Sequence, residues 1–419
     1  DSEIGHECGG VAGVEVRQFG LQARAEQDRD AAGVAQAVDK LHQALSDGRH
    51  VIPGIDGHHL RLERQEPEAP DKFKVALIGC GGRGSGALRD CMGAASHLGL
   101  KIEVVAMADW FQKKAEEAGQ GYGVPADRCF SGGNGYKKVM ESDADVVLLA
   151  TPPNFRPRHL EAAIKAGKHV FMEKPVAVDP PGVRQVIAAG ELAKQKGLGI
   201  VAGTQRRHQA GYRRNQYAAE KGAIGRIVGG SVWWCGGALW KKDREANESD
   251  ADYMVRNWVS FAEMSGDHIV EQHVHNLDVA NWFIGRTPVW AVGFGGRARR
   301  KTGNQFDFFS AEIEYDEECH IHSMCRQVNG TYGRVNEFFV GTEGSTWGDG
   351  RMKTSKKIEI PSFDENGGPY MQEHIDLLKG IVDGKPLNEV RAVAEATTAA
   401  MDILAPLSRP AGTGEMGLA

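Results

Sequence analysis

The chain contains no CxxC pair, and its seven cysteines are an odd number spread over 419 residues. A framework pairing every thiol and a cysteine-built zinc knuckle are both excluded, so free thiols in a reducing compartment are the default. No apolar stretch approaches the roughly 18 residues that a membrane-crossing helix needs. No stripe of one charge sign stands out either: 50 basic residues face 56 acidic ones, a net charge of -6. A phosphate-backbone partner requires a basic face, so nucleic acid and membrane are not expected as partners. The one basic cluster, Arg206 to Arg214 (RRHQAGYRR), reads as part of a local site or a solvated face. Internal repeats are absent, and no visible segment has the charged-then-apolar layout of a signal peptide. The expected compartment is the cytoplasm or, after loss of a leader, the periplasm or the exterior.

What is present falls into three parts. Residues 1–71 are Gly-rich and polar, then carry an amphipathic helical pattern near Ala31 to Leu45, then a charged, Pro-containing linker (ERQEPEAPDK). They are expected to form an N-terminal extension, either an oligomer arm or a partly disordered segment. In residues 72–203, short β-rich runs (KVALIGC, KIEVVAMAD, ADVVLLATP, KHVFMEKP, GLGIVAG) alternate with helix-spaced stretches. Continuous apolar strands separated by helices predict an α/β, doubly wound parallel sheet of Rossmann type. Residues 204–419 switch to longer alternating strands such as RIVGGSVWW, FDFFSAEIEY and CHIHSMCRQ, which predict a mostly antiparallel sheet and an α+β domain. Its final helical segment is expected to pack back on the body.

The glycine-dense turn VALIGCGGRGSGAL (Val75 to Leu88) lies between the first strand and first helix of the second part. Gly79, Gly81 and Gly84 make G-x-G-x-x-G, with Gly82 and Arg83 inside it. The first glycine allows the turn, the second lets backbone approach a pyrophosphate, and the third allows close helix-strand packing. The next strand ends in Asp109, where an acid accepts hydrogen bonds from an adenosine ribose and repels a 2′-phosphate. NAD is therefore expected in preference to NADP, although Lys113 and Lys114 follow closely. The alternative for Asp109 is a helix N-cap. Trp110 either covers the adenine or packs in the core.

The stretch ATPPNFRPRHLEAAIKAGKHVFMEKP (Ala150 to Pro175), taken with the glycine turn, resembles the Gfo/Idh/MocA oxidoreductases over about Phe73 to Leu404. The resemblance implies a Rossmann domain with tightly held NAD, a C-terminal open-faced sheet making homo-oligomer contacts, and a substrate cleft between the two. It implies that Thr151, Pro152, Asn154 and His159 line the cofactor. Glu173, Lys174 and Pro175 stand at the EKP signature, with Lys174 beside the nicotinamide and the reacting carbon. In SGDHIVEQHVHNLDVANW (Ser265 to Trp282), Glu271, His275 and Asp278 match the family's D-x-x-x-H-x-x-D, with Glu in place of the first Asp. On one helix these positions, spaced i, i+4 and i+7, share a face. A neutral-range imidazole suits proton removal from a hydroxyl, so Lys174 and His275 are the expected catalytic pair.

His268, Glu271, His273 and His275 also compose a candidate metal set, but position 273 faces away from 271 and 275 on a helix, and no metal is assigned. Arg207 and His208, in GTQRRHQ, are expected as substrate or cofactor contacts or as inter-domain salt-bridge formers. Tyr212 and Trp258 complete the candidate substrate contacts. The tryptophans at 233, 234, 240 and 258 read as stacking platforms or as core. The resemblance points to hydride transfer to NAD from a ring carbon bearing a hydroxyl of a sugar, cyclitol or glycoside. The alternatives are a glycosidase or lyase using transient oxidation, with Tyr212, Tyr253 or His208 as acid, and a non-catalytic NAD-binding sensor.

Overall fold

The computed structural model describes residues 17–18, 71–316 and 319–404, and those from 71 onward lie within one compact unit. The helix expected near 31–45 and nearly all of the charged linker fall outside the described residues.

A parallel sheet forms first along the chain. Its strands are β1 (Lys72–Ile78), β2 (Lys101–Asp109), β3 (Cys129–Ser131), β4 (Val146–Leu149), β5 (His169–Met172) and β6 (Ile200–Ala202). They are ordered β3-β2-β1-β4-β5-β6, with every pair parallel. Val146 to Leu149 are all buried, as a strand covered on both faces must be. The intervening helices are α1 (Gly82–His97), α2 (Gln112–Gln120), α3 (Gly135–Met140), α4 (Arg156–Lys165) and α5 (Pro180–Lys196). α5 shows how local chemistry sets the boundaries. The Asp179 side chain accepts from Gly182 N–H at 2.7 Å, Pro180 opens the helix, and Gly197 ends it with φ of 66°.

The sheet order reverses between β1 and β4, and at this point an open α/β sheet leaves a crevice at its carboxyl edge. The glycine turn follows β1, Asp109 ends β2, Thr151 follows β4 and Lys174 follows β5, so all four stand on that edge.

The second sheet follows helix α6 (Ala210–Glu220). It contains β7 (Ile227–Gly236), β8 (Trp290–Gly296), β9 (Phe308–Asp316), β10 (Cys319–Gln327), β11 (Arg334–Gly341), β12 (Gly344–Trp347) and β13 (Met352–Thr354). Within it these strands run β8-β9-β10-β7-β11-β12-β13, antiparallel except for the β10–β7 pair. β10 alternates between buried and more accessible residues along its whole length, the signature of a sheet with one covered face. Helix α7 (Val274–Ile284) lies against β7 and β11, where Asn276 Nδ2 donates to Trp233 O (3.0 Å) and Glu337 Oε1 (2.6 Å).

The final helical segment forms α8 (Pro369–Val382) and α9 (Val390–Leu404). α8 packs on α1, and its Ile375, Leu377 and Leu378 share an apolar cluster with Leu77, Leu88, Phe171 and Val201 of the first sheet and its helix. α8 therefore completes one layer over the parallel sheet, whereas α9 packs on α5 and shares with α4 and α5 the cluster that covers the other face.

Candidate active site at the edge of the parallel sheet

Gly79 has φ of 99°, and a Cβ there would lie 2.6 Å from the Ala150 carbonyl atoms. A Cβ on Gly84 would lie 1.8 Å from Gly79 O, so these two glycines are required by close packing. Gly81 and Gly82 differ, because nothing lies within 4 Å of their Cβ positions. They border open space at the start of α1, which has no side-chain cap and no acidic residue in its first turn. Free N–H groups at such a terminus suit an anion.

A cavity of about 110 Å³ opens here, and Gly79, Gly81, Asp109, Trp110, Thr151 and Pro152 line it, as do His159 and Trp258. Six of these eight come from strand-end loops, which explains how residues far apart in sequence meet. Asp109 is held by two backbone donors, Cys80 N–H on Oδ2 (2.9 Å) and Phe111 N–H on Oδ1 (3.0 Å). The carboxylate is thus fixed in orientation while lining the cavity. Lys114 lines it too, 5.0 Å from the centre of the Phe111 ring. Trp110 donates its indole N–H to Asp252 at 2.6 Å, and Trp258 brings the same second-domain segment over the cavity. Thr151 Oγ1 lies 3.3 Å from His159 Nδ1, and burial pushes that imidazole down to about 3, so it stays neutral.

Asn154 is not among the lining residues: its amide donates to Met264 Sδ. Gly82, Arg83, Gly84 and Glu173 do not line the cavity either. The Arg83 guanidinium bonds Glu173, approaches Asp90 at 3.3 Å and Glu373 at 3.7 Å, and lies 4.7 Å from the Tyr370 ring centre. It therefore ties the glycine turn to the strand end carrying Lys174.

Lys174 and His275 stand one strand further along the edge. Lys174 Nζ donates to the Glu271 carbonyl and lies 3.1 Å from Glu271 Oε1; the two side chains are 9% and 7% exposed. Glu271 Oε2 is buried without a hydrogen-bond partner. His275 stacks on Trp234, ring centres 5.6 Å apart, and neither ring nitrogen has a protein hydrogen-bond partner among the described residues. Burial first, then the cations Lys174, Arg206 and Arg83, hold its imidazole well below the usual range. A neutral ring beside an ammonium results.

The expected single helical face through 271, 275 and 278 is not formed. The chain makes a short helix, Asp267–Glu271, then breaks before α7. His273 N–H reaches back five residues to His268 O at 3.2 Å, and the register of the following turn changes. Asp278 is consequently not grouped with Glu271; it makes a two-oxygen ion pair with Arg207 at 2.9 to 3.0 Å. The candidate metal set is likewise dispersed: His268 Nδ1 faces Phe306 O at 3.1 Å and His273 Nε2 faces Ser323 Oγ at 2.7 Å. Among the described residues, no cluster of three or more His, Cys, Asp or Glu is arranged to hold a metal.

Two other candidates are structural in their contacts. Tyr212 donates to Glu337 at 2.8 Å in a buried network with Arg206, and burial raises its hydroxyl far above the usual range. His208 lies between Asp376 (2.6 Å) and Glu389 (3.1 Å). Although burial opposes its charge, Glu389 and Asp376 raise its pKa to about 10. The folded value exceeds the ordinary 6.5, so this contribution to stability is complete below about 6.5 and is lost as pH rises through about 10. His208→Gln is expected to flatten the fall in urea midpoint over that window; an unchanged slope would assign it to other groups.

Sequence reasoning missed Arg156. This side chain is 1% exposed, donates to Leu149 O (3.0 Å) and Pro175 O (3.2 Å), and so braces the ends of β4 and β5 on either side of the site. At a helix start it reads as an ordinary solvated cation, and only its neighbour Pro157 hinted at a fixed helix entry.

Together these features define a dinucleotide-binding α/β protein with a second, sheet-based domain. Residues 73–203 match the Gfo/Idh/MocA family, an oxidoreductase family with an NAD-binding Rossmann fold. An inositol 2-dehydrogenase of Burkholderia ambifaria is 26% identical over 213 residues, covering 51% of this chain and 55% of the relative. One from Pseudomonas syringae is 30% identical over 153 residues, covering 36% of this chain and 43% of the relative. The chain thus spans about half the length of the curated relatives it matches. Among solved structures, an aldose-aldose oxidoreductase from Caulobacter crescentus superposes with a TM-score of 0.62 at 17% identity, covering 80% of this chain and 97% of that one. A scyllo-inositol dehydrogenase from Lactobacillus casei gives a TM-score of 0.60 at 17% identity, covering 80% and 96%. These likenesses establish the two-domain fold. No helix among the described residues is long and apolar enough to cross a membrane.

Proposed function

We propose that the chain is an NAD-dependent oxidoreductase acting on a ring hydroxyl of a sugar or cyclitol. The observation that carries this reading is the juxtaposition of Lys174, Glu271 and His275 at the strand edge bordering the glycine turn. The open cradle at Gly81 and Gly82 and the uncapped start of α1 fit a pyrophosphate. Asp109 is suited to a ribose hydroxyl and opposes a 2′-phosphate, which favours NAD. When bound, the nicotinamide supplies the acceptor for the hydride leaving the substrate carbon.

The chain's own groups handle the proton. Lys174, oriented by Glu271, donates a hydrogen bond to the substrate hydroxyl oxygen and stabilises developing negative charge. Neutral His275 takes the hydroxyl proton. Because its imidazole stays neutral well below the ordinary range, kcat/KM is expected to lack an acid limb near pH 6.5. A limb at that pH in a pH-rate profile would remove His275 from this role.

The supporting resemblance is to inositol dehydrogenases, so a panel of inositols and aldoses followed at the NADH absorbance is the direct test, with NAD and NADP titrated in parallel. Tighter binding of NADP would overturn the reading of Asp109. The redox-assisted glycosidase reading gains no structural support, since Tyr212 and His208 are committed to Glu337, Asp376 and Glu389, and Tyr253 packs against Arg244 and Phe261.

A further inference from the structure

A second cavity, of about 310 Å³, lies at the end of the second sheet and shares no lining residue with the first. Its wall includes Trp240, Lys241, Arg299, Arg300, Lys301 and Gln327. A single lining carboxylate, Asp307, is already used: one of its oxygens accepts the backbone N–H groups of Ala298, Arg299 and Arg300. That triple acceptance curls the segment so that three consecutive cationic residues border one hollow.

Two deeper side chains give the hollow a built floor. Arg300, with a side chain 12% exposed, donates from Nη2 to Gln327 Oε1 at 2.6 Å, and its Nε lies 3.6 Å from Asp307 Oδ1. Gln327 is 3% exposed, and its Nε2 is buried with no partner at all. A buried amide donor left unpaired is costly and calls for an acceptor. Arg299 and Lys301 make no ion pair among the described residues, and Lys241 only meets the almost fully exposed Asp243 at 3.6 Å. Trp240 is 47% exposed at the rim; the Lys242 ammonium lies 5.9 Å from its ring centre, leaving the opposite face to receive a flat ring.

We infer that this cavity binds a diphosphate group carried on a base or sugar ring, with Arg299, Arg300 and Lys301 on the phosphates and Trp240 against the ring. Arg299 and Lys301, two exposed cations without an ion pair among the described residues, favour a multiply charged anion over a single carboxylate. The chain's net charge of -6 favours a small molecule over a nucleic acid. The inference stands apart from the proposed oxidoreductase activity.

The test uses uridine diphosphate and inorganic pyrophosphate as probes, titrated calorimetrically into the full chain. The dinucleotide cavity is blocked by Gly81→Asp, a position with room for a side chain and a charge that repels phosphate. Saturable one-site binding of both probes to the G81D protein is expected. The double variant Arg299→Ala/Lys301→Ala, made at exposed positions, should weaken both probes by about tenfold or more. Trp240→Ala should weaken uridine diphosphate and leave pyrophosphate unchanged. Failure of both probes to bind at millimolar concentration, binding abolished by G81D alone, or affinities indifferent to R299A/K301A would overturn the proposal. Preference for single-stranded RNA over uridine diphosphate would overturn it as well.

Discussion

Lys174→Ala is expected to lower turnover by about 10²- to 10⁴-fold while leaving dinucleotide affinity nearly unchanged. The ammonium stands beyond the cavity that holds the glycine turn, so on the proposed reading its loss removes a contact to the reacting hydroxyl and none to the pyrophosphate. The variant also strands the buried Glu271 carboxylate, and breaking a buried pair by removing one partner costs about 3 to 5 kcal/mol. The two effects separate in a double variant. Lys174→Met/Glu271→Leu should recover much of the stability in urea and none of the turnover. Fluorescence titration with NADH and single-turnover measurements on the same samples check both halves. Near-normal turnover in either variant removes Lys174 from the chemistry.

Gly84→Ala should abolish dinucleotide binding and lower stability by about 3 kcal/mol, because the added methyl collides with the Gly79 carbonyl at 1.8 Å. The obstacle is backbone, which has no rotamer by which to move aside. Gly81→Ala is the matched control: its methyl meets nothing within 4 Å, so the fold should survive intact. If Gly84→Ala bound NADH normally, the turn would have to be far more pliable than its packing allows.

The contrast between these two glycines shows what sequence could convey. The G-x-G-x-x-G spacing identified both positions, and continuous apolar runs identified the parallel strands, because burial on two faces leaves a direct mark on composition. Lys174 and Glu271 were recognised through motifs, but their contact spans 97 residues, and only the fold shows it. The helix break at Gln272 and His273 was not legible, since apolar periodicity continues smoothly through a local change of hydrogen-bond register. Asp278 and Arg207 were each assigned to the site, yet they satisfy one another. A charged residue's partner is a property of tertiary structure. Arg156 went unseen for the same reason: nothing in RPRH tells a buried brace from a solvated cation.

The placement of α8 has a bearing on how the polypeptide matures. Chains are synthesised from the amino end, and domains tend to form as they emerge. Here one side of the first sheet is covered only by α1 and α2 until Ile375, Leu377 and Leu378 have been translated, nearly three hundred residues after its opening strand. Expression of the cofactor-binding half alone, cut near residue 203, would release an unfinished layer prone to self-association, and a soluble minimal fragment must carry Pro369 to Val382 with it.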